Sequence, residues 1–155
     1  MINIDKGGPM NTATIGHVVT PPDQEEVLEA GGSRLTVKVA TASQFVCEYS
    51  APSEFAGPPL HVHPGFDETF LVLEGRLEVM VRTERVELTA GGTAYVSGNV
   101  PHTFSNPHGQ RARFLLVCTP GGMEHYFRGI ATGNAALVAA AAERFGYRAV
   151  PEGKE

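Results

Sequence analysis

Between Pro58 and Gly75 the chain reads PPLHVHPGFDETFLVLEG. His61 and His63 are separated by one residue, so on an extended strand their imidazoles project to the same face about 7 Å apart, a spacing at which both can meet one metal ion. Glu68 follows His63 by five positions, an odd separation that would set it on the opposite face of a straight strand. The intervening Pro64-Gly65 predicts a turn that resets the register, so that Glu68 opens the next strand with its carboxylate turned to the same interior, followed on that face by Phe70 and Val72. Glu68 is followed 34 positions later by His102, in the segment GGTAYVSGNVPHTFSN (Gly91 to Asn106). Pro101 suits a strand start, where its missing N–H does least harm, and His102, Phe104 and Asn106 then line one face.

Three imidazoles and one carboxylate suit a divalent ion, Fe2+, Mn2+, Ni2+, Co2+ or Zn2+. On an octahedral ion these four ligands leave two positions open, whereas a tetrahedral zinc would be saturated unless Glu68 swung away. The expectation is that His61, His63, Glu68 and His102 converge to within about 2.0 to 2.3 Å of one ion. An HxH alone fits a half-exposed polar face equally well; the full combination is what points to a metal.

The elements that must position these residues read as strands. Leu35, Val37 and Val39 alternate with Thr36, Lys38 and Ala40; Phe45, Cys47 and Tyr49 with Val46, Glu48 and Ser50; Leu77, Val79 and Val81 with Glu78 and Met80. Gly31-Gly32 and Glu74-Gly75 are expected hairpin turns, Gly91-Gly92 opens the segment through Tyr95 and Val96, and a final strand runs from Arg111 to Thr119. Beyond Pro120-Gly121-Gly122 the period becomes helical at Met123, Tyr126 and Phe127, and Asn134 to Phe145 is alanine-rich with Gly146 past its end. The pattern predicts an all-β domain, a closed barrel or jelly roll, with two short C-terminal helices.

Composition narrows the function classes. The chain has 155 residues, 42% of them hydrophobic and 19% charged, which fits one domain. The expected organisation is a flexible segment over 1–20 and a single domain over 21–155. Twelve basic against 17 acidic side chains give a net charge of −5 and no basic field for nucleic acid. The longest apolar run, Ala135 to Ala142, is far short of the roughly 20 residues that span a bilayer. The opening MINIDKGGPM lacks an apolar leader, so a cytoplasmic home is expected, and Met10 is a possible alternative start. Cys47 and Cys118 lie in alternating hydrophobic segments without a Cys partner nearby and read as small buried residues.

Both spacings resemble those of the cupin superfamily, specifically small single-domain cupins of the quercetin dioxygenase-like type. The first motif, His-x-His, three or four residues, Glu, six residues, Gly, falls on His61, His63, Glu68 and Gly75; the second, ending Pro-His-x-x-x-Asn, falls on Pro101, His102 and Asn106. The resemblance covers roughly Glu26 to Val150. It departs at Phe55, where the family has glycine (Gly57 is nearby), and at Ser97 and Asn99, where proline and glycine are usual. Asn99 tolerates a left-handed backbone, so the turn is expected to survive there.

The resemblance implies a double-stranded β-helix and a metal-dependent dioxygenase acting on a small oxygen-rich molecule, with dioxygen as co-substrate. The same fold also hosts cyclases, isomerases, decarboxylases and lyases that use the metal only as a Lewis acid, and a non-catalytic metal or small-molecule binding module is the third alternative. Glu68 is the candidate catalytic residue, either as ligand or as general base. Tyr49, Phe70 and Phe104 are candidates for the substrate pocket. His17, His108 and His125 read as surface histidines, His125 with a speculative lid or proton-shuttle role near the barrel mouth. Arg111 and Arg113 are expected to face solvent, with an anion-holding role as the alternative. Outward apolar residues such as Leu71 and Leu73 predict a homodimer.

Overall fold

Alternate residues are enclosed along the segments whose hydrophobicity alternates: Phe45, Cys47, Tyr49 and Ala51 are buried while Val46, Glu48 and Ser50 are only partly so. The structure is a computed structural model that describes Gly16 and residues 18–151. His17, Met10 and most of the 1–20 segment expected to be flexible lie outside the described residues. In chain order the elements are β1 (Glu26–Ala30), β2 (Ser33–Ala40), β3 (Phe45–Ala51), β4 (His61–Val62), β5 (Asp67–Glu74), β6 (Arg76–Val81), β7 (Glu84–Thr89), β8 (Thr93–Val96), β9 (His102–Ser105), β10 (Ala112–Thr119), α1 (Met123–Thr132), α2 (Ala135–Phe145) and β11 (Arg148–Ala149).

The strands form two antiparallel sheets, ordered β1-β2-β3-β10-β5-β8 and β11-β4-β9-β6-β7. Their facing sides enclose one core, in which Leu35, Phe45, Phe70, Phe114 and Leu116 from the first sheet meet Leu77, Val79 and Phe104 from the second. This is the double-stranded β-helix that the sequence resemblance implies. Gly31-Gly32 makes the expected β1–β2 hairpin.

Glu74-Gly75 does not make a hairpin. β5 pairs with β10 and β8, whereas β6 pairs with β7 and β9, so Gly75 is where the chain steps from one sheet to the other. Its φ of 75° suits glycine, and a Cβ there would come within 2.7 Å of the Arg111 carbonyl oxygen. A hairpin and a sheet-to-sheet step share this local turn chemistry, which is why alternation with a glycine break could not separate them.

The helices close over the barrel from the C-terminal side. Asn134 caps α2 by accepting from the Leu137 N–H at 3.1 Å, and Gly146 ends it in the left-handed conformation. Arg128 of α1 reaches back to β1 with a two-pronged ion pair to Glu26 (2.8 and 2.7 Å). After α2 the chain returns as β11, pairing Arg148 with Val62 and Ala149 with His61. The last element is thereby tied to the strand that carries the HxH.

Candidate metal centre

The site is assembled where the two sheets approach each other. His61 opens β4 and lies opposite His102, the first residue of β9. β4 is only two residues long, and His63 follows it with its N–H donating to the Gly98 carbonyl at 2.8 Å. The Pro64-Gly65 turn closes with Phe66 N–H donating to the His63 carbonyl (3.1 Å), and Glu68 then stands on the inward face of β5 with Phe70 and Val72. The turn therefore resets the register as its residues predict. His61, His63, Glu68 and His102 are brought together with their candidate ligand atoms all within 4.8 Å of one another, and none is more than 4% exposed.

The ring orientations are fixed from outside. His61 Nδ1 donates to the Pro59 carbonyl (2.7 Å), His63 Nδ1 to that of Phe66 (2.9 Å) and His102 Nδ1 to that of Val100 (2.7 Å). A carbonyl can only accept, so each Nδ1 carries its proton and each neutral ring turns an Nε2 lone pair inward. His63 Nε2 and His102 Nε2 are 2.9 Å apart, and Glu68 Oε2 lies 2.9 Å from the latter and 3.3 Å from the former. Ligand atoms held at about 2.1 Å from one ion and at right angles are about 3.0 Å from each other. Two lone pairs and a carboxylate oxygen facing at this separation repel unless a cation or extra protons lie among them, so the donor set fits a divalent ion by chemistry as well as by spacing.

Charge balance follows the same lines. Burial pushes the His61 imidazole down to about 4, which keeps it neutral as a ligand must be. Burial would raise the Glu68 carboxyl, but with no cation among them the facing His102 and His63 Nε2 atoms take up protons and hydrogen-bond to it, which outweighs burial and holds the group down at about 2. Burial likewise works to lower His63, and the Glu68 carboxylate reverses this and raises it. Phe66 stacks on His63 with the rings 3.8 Å apart and 2° from parallel, and Phe145 from the end of α2 meets Phe66 edge-on at 5.0 Å.

The loop bearing Ser97 and Asn99 is built differently from the expectation. Among the described residues the non-glycine positions with positive φ are Glu54 and Arg82, so Asn99 takes no left-handed conformation. The tight point is Gly98: its N–H donates to Asp67 Oδ1 at 3.0 Å, and a Cβ there would collide with the main-chain oxygens of Phe66 and His63. Close approach, not backbone handedness, requires the glycine.

Tyr49, Phe70 and Phe104 fall in one aromatic cluster. Tyr49 stacks on Phe114 at 4.9 Å and meets Phe104 edge-on at 5.6 Å, while Phe104 lies 5.3 Å from Phe70. Arg113 is on the outer face, paired with Glu48 and Glu74 at 2.8 Å each, and Arg111 donates to Ser50. His108 pairs with Glu87 at 3.0 Å and His125 lies 3.6 Å from the buried Glu124. Cys47 and Cys118 are free, and burial followed by the nearby Glu68 charge pushes both thiols up. Cys118 Sγ approaches Glu68 Oε1 at 4.0 Å.

Sequence reasoning missed Tyr147, whose ring stacks on that of His61 with centroids 4.8 Å apart and planes 28° from parallel. Tyr126 of α1 stands 6.0 Å from Tyr147. Burial, then the proximity of Tyr126 and Glu68, pushes the Tyr147 phenol up to about 12. An aromatic residue directly after the helix-ending Gly146 was the available signal.

Comparison with known proteins agrees with this geometry. The cupin domain family matches residues 50–118. A quercetin 2,3-dioxygenase of Bacillus subtilis (strain 168) is 33% identical over 69 residues, which are 44% of this chain and 20% of that protein. The matched part thus spans about a fifth of that relative. An RmlC-like cupin from Shewanella frigidimarina superposes with a TM-score of 0.62 at 19% identity, covering 70% of this chain and 96% of the other. KdgF from a Halomonas species gives 0.62 at 14% identity, over 70% and 97%. At these identities the two structures share the fold.

Proposed function

Taking as premise that this chain is a small protein of the cupin superfamily, we propose that it is a metal-dependent enzyme acting on a small oxygen-rich organic molecule, as a dioxygenase of the quercetinase-like type. The observation that carries the reading is the set of three Nδ1–carbonyl bonds, which leaves every Nε2 for the buried cluster that contains the Glu68 carboxylate. A structural polar cluster needs no such common tautomer. A divalent ion held by His61, His63, Glu68 and His102, iron by preference, supplies Lewis acidity and redox chemistry toward dioxygen. The only ligand charge is that of Glu68, so the centre retains a net positive charge and favours a substrate that binds as an enolate, catecholate or carboxylate.

Glu68 Oε2 faces the imidazoles, and Oε1 is free of them. Held ionised, the carboxylate takes the proton from a substrate hydroxyl as it approaches, the role of a general base. Phe70, Phe104 and Tyr49 form the apolar wall that keeps bulk water from the reacting atoms. The same proposal includes a homodimer and a cytoplasmic home. Leu71, Leu73 and Tyr95 lie on the outer face of the first sheet, with Leu73 39% and Tyr95 65% exposed, and neither helix covers them. Two buried free thiols suit a reducing compartment.

The test is anaerobic loading with Fe2+ followed by oxygen-uptake assays on flavonols, β-diketones and catechols. Metal-dependent oxygen consumption with one of these classes is the expected result. Conversion without oxygen uptake would replace the dioxygenase by a Lewis-acid enzyme, and binding without turnover by a binding module.

A further inference from the structure

Tyr147 is carried to the centre by the return of the chain after α2. Gly146 ends α2, Tyr147 follows, and the two-residue β11 then pairs with β4, setting the phenol ring over His61. Tyr126 comes from α1 and faces Tyr147 with the ring planes 30° apart. Both rings are half-buried, while the His61 imidazole on which Tyr147 stacks is buried, so Tyr147 lies between that side chain and solvent with Tyr126 beside it. Among the described residues neither hydroxyl has a hydrogen-bond partner and neither is sealed from solvent; Tyr95, by contrast, donates to Asp67 at 2.8 Å. Two unpaired donors, one on the ring that stacks on His61 and one on the ring next to it, are placed to meet an acceptor from outside the protein.

We infer that Tyr147 and Tyr126 form the substrate-recognition wall of this centre, their hydroxyls donating to an anionic oxygen of a planar conjugated substrate and the Tyr147 ring flanking its face. The inference rests on the metal centre proposed above and adds the residues that select the ligand. The two tyrosines are specificity determinants and touch no reacting atom through the metal's own ligands. A saturated, non-planar substrate would gain only the hydrogen bonds and forgo the stacking.

The experiment uses the full chain loaded with Co2+, titrated with 4-nitrocatechol, a planar chelator whose visible absorbance changes on binding, and in parallel with azide, which reaches the metal without a planar face. Tyr147→Phe and Tyr126→Phe keep the rings and remove the hydroxyls. Each is expected to weaken 4-nitrocatechol by about fivefold or more, the loss of one hydrogen bond, with Co2+ content and azide affinity unchanged. Unchanged 4-nitrocatechol affinity in both variants overturns the inference and leaves the metal centre standing. Equal weakening of azide, or loss of Co2+ from Tyr147→Phe, also overturns it, because Tyr147 would then act on His61 and not on the ligand. Failure of the wild type to take up Co2+ removes the centre itself and the inference with it.

Discussion

His63, just past β4, and His102, at the start of the neighbouring β9, are 39 residues apart in sequence, yet their Nε2 atoms lie 2.9 Å from each other while each Nδ1 is occupied by a backbone carbonyl. Neither ring can rotate away without losing its carbonyl, so the fold holds two lone pairs together at a spacing that a shared cation relieves.

Replacement of single ligands separates binding from chemistry. Glu68→Gln keeps size and one acceptor oxygen while removing charge and basicity. Metal content is expected to fall modestly and turnover by at least about 100-fold, the lower end of general-base loss. His102→Ala lowers metal occupancy itself. Full activity in Glu68→Gln would remove the carboxylate from the mechanism.

Gly98→Ala tests the support behind His63. The added Cβ meets main-chain oxygens of Phe66 and His63, which a side-chain rotation cannot relieve. A loss of about 1–3 kcal/mol is expected from the overpacking, together with reduced metal uptake, read from urea midpoints and metal analysis. An unaltered midpoint would show that the loop yields freely.

The metal-free protein is expected to lose stability in acid in two overlapping stages. His61 has its imidazole pushed from 6.5 to about 4, so the unfolded chain takes up that proton first. Stability present above pH 6.5 is lost on the way down to about 4. Glu68 is lowered from 4.5 to about 2, and its contribution disappears between those values. The raised His63 acts in the opposite sense, stabilising below its ordinary value and losing that contribution as pH rises through the raised one. In urea titrations from pH 7 to 3, the gap between wild type and Glu68→Gln should narrow below pH 4.5; a constant gap contradicts the assignment.

Tyrosine emission offers a direct view of the recognition wall. The chain has four tyrosines and no tryptophan. With Tyr147 stacked on His61, loading with Co2+ is expected to quench tyrosine fluorescence, and Tyr147→Phe to remove the largest share of that change. Equal quenching in the variant would place the ion elsewhere.

The ligand set was legible because it is written in side chains at fixed spacing: His61 and His63 alternate, Pro64-Gly65 shifts the register before Glu68, and Pro101 opens the strand of His102. Its supports were not. The carbonyls of Pro59, Phe66 and Val100 have no side-chain signature, and Tyr147 reaches His61 only through β11, a two-residue strand paired with one equally short. The sheet change at Gly75 was hidden for a related reason: alternation reports which face is buried and is silent about which sheet a strand joins.

The central claim is that His61, His63, Glu68 and His102 bind one divalent ion. Anaerobic equilibrium dialysis against Fe2+ and Co2+, with the metal content of the wild type and of His61→Ala and His102→Ala determined by elemental analysis, tests it most directly. The account predicts about one ion per wild-type chain and less than about a tenth of that in either variant, as expected when a site loses an imidazole ligand. Uptake that stays substoichiometric in the wild type, or is equal in all three proteins, would contradict it.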